Sequence, residues 1–408
     1  MNPDPSALNP SAPGPLLRRG PRPLLLHLTL AMLKSSGSAA SSVSSSGGWP
    51  TWNGKAAEQA ASIAAALGGQ AAVFPQAVLV EGLRQDRELI AGIAAYRRHP
   101  WRRELPEVPA IWREGGSRLL DFGGVGPTVL LVPSLVNRAY VLDLAPGRSM
   151  CRFLAAQGLR VLLLDWGWPG ELERSFSLTD YIAGRLERAL VAAGERVVLA
   201  GYCMGGLLAV AAAQRRPERV AALGLLATPW DFHAEDAAGA AALARLLPLL
   251  EPAMAFAGTL PIDALQMLFA LLEPYGIATK YRSFGRLNQE SERAKLFVAL
   301  EDWLNDGVPL AAPVARECIG GWYGANAPAR GAWRVAGLPV DPGAIDLPAF
   351  VAVSGRDKIV PPESALPLAG MIKGAVLHRP AAGHIGMAAG SGAEAALWRP
   401  FLDWVRTL

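Results

Sequence analysis

The sequence predicts an α/β protein built on a mostly parallel sheet with helices on both faces, and three observations predict it. Six short runs, at 128–132, 160–164, 196–200, 220–226, 349–353 and 375–378, are almost continuously apolar, as strands buried on both faces are. Helical patterns separate most of them, which is the alternation a parallel sheet requires. The third run passes through Gly201-Tyr202-Cys203-Met204-Gly205 straight into Gly206-Leu207-Leu208-Ala209-Val210-Ala211-Ala212-Ala213. That is a strand, a sharp turn that tolerates only small neighbours, and a helix.

Taken in order, residues 1–54 are rich in Pro, Ser and Gly and are expected to form a flexible arm with one short apolar segment. There Arg18 and Arg19 precede the apolar residues Leu24 to Leu33, and small residues follow to Gly48, which copies the layout of a secretory signal. His27 interrupts the segment, Lys34 ends it, and it is shorter than the roughly 20 residues that span a bilayer. Three readings stay open: a cleaved signal, a helix lying on a membrane or granule surface, or a helix docked on the protein's own core. Residues 55–117 read as a helical region. The sheet core is expected over 118–230 and 346–408. Between its second and third strands, Ser177 and Asp180 set a capping box before the stripe Leu178, Tyr181, Ile182, Leu186 and Leu190. The interval 231–345 reads as helices, and an insertion there would lie over the C-terminal strand ends as a cap. Its aromatics, Tyr275, Tyr281, Phe284, Trp303, Trp322 and Tyr323, are expected to form cap core rather than substrate wall.

The composition narrows the chemistry. With 408 residues, 51% of them hydrophobic, the chain can bury a substantial core. Its formal charge of +4 is spread without a basic stripe, which argues against a nucleic-acid partner while remaining compatible with phosphate-bearing ligands. Three scattered cysteines, Cys151, Cys203 and Cys318, make neither a disulfide framework nor a zinc site. They point to a reducing compartment, hence the cytoplasm. Cys151 and Cys318 fall in helical patterns and read as packing residues. No metal or redox cofactor is indicated.

Cys203 is the first candidate for chemistry. Its place at a helix N-terminus stabilises a thiolate, and the following amide, that of Met204, points where an oxyanion would form. A nucleophile on such a turn is followed in the chain by an acid and then a histidine. Asp357 lies just beyond the strand at 349–353, in Arg356-Asp357-Lys358-Ile359-Val360-Pro361-Pro362. His384 lies in Gly383-His384-Ile385-Gly386, before the last helix. The imidazole would take the thiol proton while the carboxylate fixes its tautomer. Read singly, Asp357 is a turn residue before two prolines and His384 a loop histidine. Asp165, at the end of the second strand, is the rival acid, but it precedes Cys203.

These residues resemble the polyhydroxyalkanoate (poly-β-hydroxybutyrate) synthase family. The resemblance rests on the segment Pro133-Ser134-Leu135-Val136-Asn137-Arg138 and its continuation to Leu144, on Asp165-Trp166, on the Cys203 turn, on Asp302-Trp303, and on the loops of Asp357 and His384, which fall in the family's order. It runs from about Gly126 to the C-terminus. It implies an α/β-hydrolase fold and polymerisation of 3-hydroxyacyl-coenzyme A thioesters. Cys203 would be the acylated nucleophile, His384 the base, and Asp357 the group that orients it or activates the incoming hydroxyl. Val136 would give the second oxyanion amide beside Met204. The implied partners are the thioester substrate, the growing polyester or its granule surface, and a second copy of the chain or a second synthase subunit. Two departures stand out: Lys358 where many members place histidine, and Gly386-Met387-Ala388-Ala389 in place of the commoner continuation.

Three functions therefore compete at this point. The first is a polymerising acyltransferase in the cytoplasm or on granules. The second is a hydrolase, either a thioesterase or an intracellular polyester depolymerase, which needs the same acyl-enzyme. The third is a granule-associated protein without catalysis.

Overall fold

In the computed structural model, which describes residues 18–45, 54–70, 72–271 and 273–408, the six apolar runs become strands of one eight-stranded sheet. In chain order its strands are β1 (Ala110–Glu114), β2 (Ser117–Asp121), β3 (Thr128–Val132), β4 (Arg160–Asp165), β5 (Val197–Tyr202), β6 (Val220–Leu226), β7 (Ala349–Ala352) and β8 (Val376–His378). Their spatial order is β1-β2-β4-β3-β5-β6-β7-β8. From β4 onward every neighbouring pair is parallel; β2 runs antiparallel to β1 and to β4. All six residues of β5 are buried, and each fully buried Val or Leu side chain contributes about 1.5–3 kcal/mol relative to exposure. That burial explains the unbroken apolar runs of the inner strands; β8, expected to be buried as well, is an edge strand with Val376 and Leu377 exposed.

The first two strands correct the expected boundaries, since Ala110–Glu114 falls inside the region read as helical. With Ser117–Asp121 it opens the sheet two strands earlier than the apolar runs suggest. Their sequences, Ala-Ile-Trp-Arg-Glu and Ser-Arg-Leu-Leu-Asp, mix charges with apolar residues because this end of the sheet is half in solvent. The predicted capping box forms: the Ser177 amide and hydroxyl donate to Asp180 Oδ2 at 2.8 and 2.6 Å. Behind it Leu178, Tyr181, Ile182, Leu186 and Leu190 are all buried. Cys151 and Cys318 are buried as well.

The chain forms two compact units. One comprises the described residues up to Trp101 together with Glu273–Asn305; the other comprises Arg102–Leu272 and Asp306–Leu408 and contains the whole sheet. The interval expected as a single cap is therefore divided. Its helices Ala237–Ala244, Leu247–Ala257, Ile262–Ala270 and Ala312–Arg316 belong with the sheet, whereas Gly276–Gly285 and Glu292–Asn305 belong with the N-terminal helices. In that smaller unit the apolar segment of the expected arm is part of a helix, Leu24–Ser45. Its Leu24, Leu28 and Ala31 pack with Leu89, Ile93, Tyr96, Tyr281 and Phe284. The rest of the expected arm, at 1–17 and 46–53, lies outside the described residues. Among the described residues no single helix is long and apolar enough to cross a membrane.

The register aligns the sheet's ends. Tyr202 of β5 pairs with Leu226 of β6, Leu226 with Ala352 of β7, and Ala352 with His378 of β8. The loops after β5, β7 and β8 thus leave the sheet from one edge, the carboxyl edge where open α/β sheets bind ligands.

Candidate active site

Cys203 follows β5 directly and holds φ 57° and ψ −129°, a conformation that costs a non-glycine residue about 1–3 kcal/mol. The strain persists because the neighbours fix it. Its amide donates to Leu226 O at 2.8 Å and its carbonyl accepts from the Gly206 amide at 2.9 Å. The glycines make room for the turn: a Cβ on Gly201 would lie 2.4 Å from Gly205 O, and one on Gly205 would lie 2.0 Å from Val132 O. The helix Met204–Arg215 starts at the next residue, and its first ten residues are buried. The Met204 amide, at the first helical position, has no acceptor within the helix. The neighbouring thiol is half-buried.

Asp357 and His384 arrive from the loops after β7 and β8. Asp357 Oδ1 accepts the Ile359 and Val360 amides, both at 2.8 Å. Its Oδ2 accepts His384 Nδ1–H at 2.6 Å. Both residues are buried. The two loops are stitched together by Ser354, whose hydroxyl donates to Ala382 O and accepts the Arg356 amide at 3.0 Å. Below the imidazole, the Tyr202 hydroxyl donates to His384 O at 3.1 Å, with the two rings 5.2 Å apart.

The Cys203 sulfur lies close enough to the imidazole for its charge to act on the ring. Since Nδ1 is taken by Asp357, Nε2 is the nitrogen left to face a proton donor. Burial alone would depress the imidazole's proton affinity; the charge of the Cys203 sulfur and the hydrogen bond to Asp357 outweigh it and push His384 up to about 10. Burial, then the nearby charges of Cys203 and Asp357, hold the Tyr202 phenol well above its ordinary value, so it stays a neutral donor.

The other four histidines each meet a backbone carbonyl: His27 with Arg22 O, His99 with Gln289 O, His233 with Tyr323 O and His378 with Ala396 O. Asp165, the rival acid, is paired with Arg118 and caps the Gly167 amide. The structure thus joins Asp357 to His384, with Cys203 within electrostatic reach of the ring, and leaves the rivals elsewhere. Val136 sits after β3, but its amide donates to Ser134 Oγ at 3.2 Å and its carbonyl accepts from Val308 at 3.3 Å. Before it could serve an oxyanion, that amide must leave Ser134. Among the described residues no group of three or more His, Cys, Asp or Glu is arranged to hold a metal ion.

Some contributors escape a sequence reading. Tyr202 is the variable residue of the turn, and only its position before the nucleophile hints at a role. Tyr323, expected as cap core, has a phenol raised by burial and then by the charges of Cys203 and Cys318, so it lies within electrostatic reach of the nucleophile. Of the other cap aromatics, Tyr281, Phe284, Trp303 and Trp322 are buried and Tyr275 is exposed.

A mostly parallel sheet of this order, with a cysteine on a strand–turn–helix joint and a hydrogen-bonded Asp357–His384 pair on later strand ends, fits an α/β hydrolase, and the family model for the alpha/beta hydrolase fold matches residues 127–390. Among curated proteins, the poly(3-hydroxyalkanoate) polymerase subunit PhaC of Haloferax mediterranei is 31% identical over 311 residues, 72% of this chain and 62% of the relative. The subunit of the same name from Allochromatium vinosum is 30% identical over 249 residues, 60% of this chain and 70% of the relative. The chain belongs to this poly(3-hydroxyalkanoate) polymerase family within the α/β hydrolases. It spans 62% and 60% of the lengths of the Haloferax mediterranei and Haloarcula marismortui relatives. Among solved structures, a thermophilic esterase from Thermogutta terrifontis is 19% identical with a TM-score of 0.46, covering 74% of this chain and 97% of the esterase.

Proposed function

We propose that this chain is a polyhydroxyalkanoate synthase: an acyltransferase that polymerises 3-hydroxyacyl-coenzyme A thioesters through an acyl group carried on Cys203. The observation that carries the reading is the hydrogen-bonded His384–Asp357 pair within electrostatic reach of Cys203 on its strained turn, in a chain similar to polymerase subunits.

In the reaction, the proton of Cys203 rests on His384, whose hold on it is raised by its surroundings, and Cys203 Sγ attacks the thioester carbonyl. The carbonyl oxygen becomes an oxyanion facing the Met204 amide, joined by the Val136 amide once Ser134 releases it. The intermediate collapses, the bond to the coenzyme A sulfur breaks, and that sulfur takes the proton from His384. One thioester has replaced another, so the acyl group keeps its activation. The hydroxyl of a second hydroxyacyl group then gives its proton to His384 and attacks acyl-Cys203, forming an ester and regenerating the thiol. Asp357 holds Nδ1–H throughout, so that Nε2 stays the acceptor.

The relatives' designation as polymerase subunits supports a second synthase subunit as partner, with a second copy of this chain as the alternative. The same reading places the protein in the cytoplasm at the surface of a polyester granule, and it treats the helices over 231–272 and 306–345 as the part that keeps water from the acyl-enzyme. The test is 3-hydroxybutyryl-coenzyme A with thiol release and polymer followed together. Thiol release with insoluble polymer, abolished in Cys203→Ala, is expected. Thiol release with free hydroxy acid and no polymer would instead make the protein a hydrolase, and no release at all would leave a granule protein without catalysis.

A further inference from the structure

Three buried indoles in the sheet-bearing unit have no acceptor. Trp230, Trp322 and Trp333 are 1%, 3% and 5% exposed, and none of their Nε1–H groups has a hydrogen-bond partner among the described residues. They form one cluster, with Trp322 and Trp333 edge to face at 5.3 Å and Trp230 and Trp333 at 6.4 Å. Two other buried indoles are satisfied within the protein: Trp166 donates to Pro133 O and Trp398 to Ala388 O, both at 3.0 Å. A buried donor left unpaired is costly, and three in one cluster call for an acceptor that arrives from outside.

The cluster is linked to the Cys203 turn by chain adjacency and by a series of ring contacts. Trp230 follows the end of β6, whose last residue, Leu226, pairs with Tyr202 and accepts the Cys203 amide. Trp322 stacks on Phe232, which meets Tyr323 edge to face at 4.9 Å, and the Tyr323 phenol senses the Cys203 charge. The wall is rigid. Asn326, held at φ 51°, accepts the Phe232 amide at 3.0 Å and donates to Asp231 at 2.8 Å, while His233 Nε2 bonds Tyr323 O at 2.7 Å.

We infer that the Trp230, Trp322 and Trp333 cluster is the subsite for the chain carried on Cys203, with the indole N–H groups donating to its ester carbonyls. The lining offers apolar rings and donors. A hydrocarbon chain would leave the donors unpaired, and a peptide would bring amide donors for which the cluster has no acceptors. A polyester brings acceptors alone, spaced along an apolar chain. The inference deepens the synthase reading and rests on it.

The test uses the full-length Cys203→Ala protein with 15N-labelled tryptophan, and the methyl ester of the linear 3-hydroxybutyrate trimer as probe. The indole resonances of Trp230, Trp322 and Trp333, assigned by single Trp→Phe variants, are expected to move downfield as the probe binds, and octanoate is expected to leave them in place. Trp322→Phe and Trp333→Phe, which remove a donor and keep a ring, are expected to weaken probe binding about three- to tenfold each. Failure of the probe to bind, binding with unmoved indoles, or equal movement with octanoate would overturn the inference. Coenzyme A release by the unmutated protein is scored separately. A protein that binds the trimer through these indoles but releases no coenzyme A keeps the subsite and loses the synthase reading; one that releases coenzyme A with unmoved indoles loses the subsite alone.

Discussion

Replacing Asp357 with asparagine isolates what the carboxylate does for His384. Asp357 accepts three hydrogen bonds, two from backbone amides at 2.8 Å through Oδ1 and one from His384 Nδ1 at 2.6 Å through Oδ2. An asparagine oxygen can keep the two amides, so the loop should hold its shape. The asparagine NH₂ then faces Nδ1, and two donors cannot share that contact. Nδ1 must give up its proton and accept, which puts a proton on Nε2, the nitrogen that has to receive the proton of Cys203. Losing the charge-assisted hydrogen bond accounts for about 1.5–3 kcal/mol, or about one to two decades at roughly 1.4 kcal/mol per decade. The inverted tautomer removes the base as well, and the same exchange in a serine triad costs about 10⁴-fold. Asp357→Asn should therefore lower coenzyme A release from 3-hydroxybutyryl-coenzyme A by roughly 10³- to 10⁴-fold, read with a thiol reagent in single-turnover conditions, with the thermal midpoint reported alongside. A folded variant within tenfold of the unmutated protein would refute the role assigned to Asp357.

Three further outcomes follow from the same geometry. Because folding raises His384 from 6.5 to about 10, the native state holds this proton more tightly than the unfolded chain; the stability it gives is complete below about pH 6.5 and lost as pH rises through about 10. The thermal-midpoint advantage over His384→Gln should shrink across that window, and an advantage that grows with pH would contradict the assignment. Gly205→Ala puts a Cβ 2.0 Å from Val132 O and 2.7 Å from Pro133 O, backbone atoms that cannot swing aside, so the cost should exceed the about 1–3 kcal/mol of ordinary overpacking and the urea midpoint should fall. An unchanged midpoint would mean that the turn and β3 are not packed this closely. Tyr202→Phe removes the donor to His384 O, about 0.5–1.5 kcal/mol, and should slow coenzyme A release by less than about tenfold; a loss as deep as that of Cys203→Ala would give the phenol a chemical role.

The sheet was legible wherever strands are buried on both faces, because an unbroken run such as Val197–Tyr202 leaves few alternatives. It was not legible at β1 and β2, where half-exposed strands carry arginine and glutamate and lose the apolar signature. The order of Cys203, Asp357 and His384 could be read because each sits at a strand end flagged by glycine or proline. The hydrogen bond between Asp357 and His384, and their placement relative to Cys203, depend on the register that aligns Tyr202, Leu226, Ala352 and His378, which no local pattern encodes. The division of the 231–345 interval between two units was likewise hidden. The partners of Gly276–Gly285 lie in the helix Phe74–Arg98, and an apolar helix face does not name its partner. The unpaired indoles are visible only as a sum over the packed cluster, since each tryptophan read alone is an ordinary core residue.

The most direct measurement is the mass of the peptide carrying Cys203 after the protein is mixed with 3-hydroxybutyryl-coenzyme A and quenched in acid. The account predicts a thiol-linked 3-hydroxybutyryl adduct, alone or as a short oligomer, on Cys203, formed as fast as coenzyme A is released and absent in Cys203→Ala. Release of coenzyme A with Cys203 unmodified throughout, or with the adduct on another residue, would contradict it.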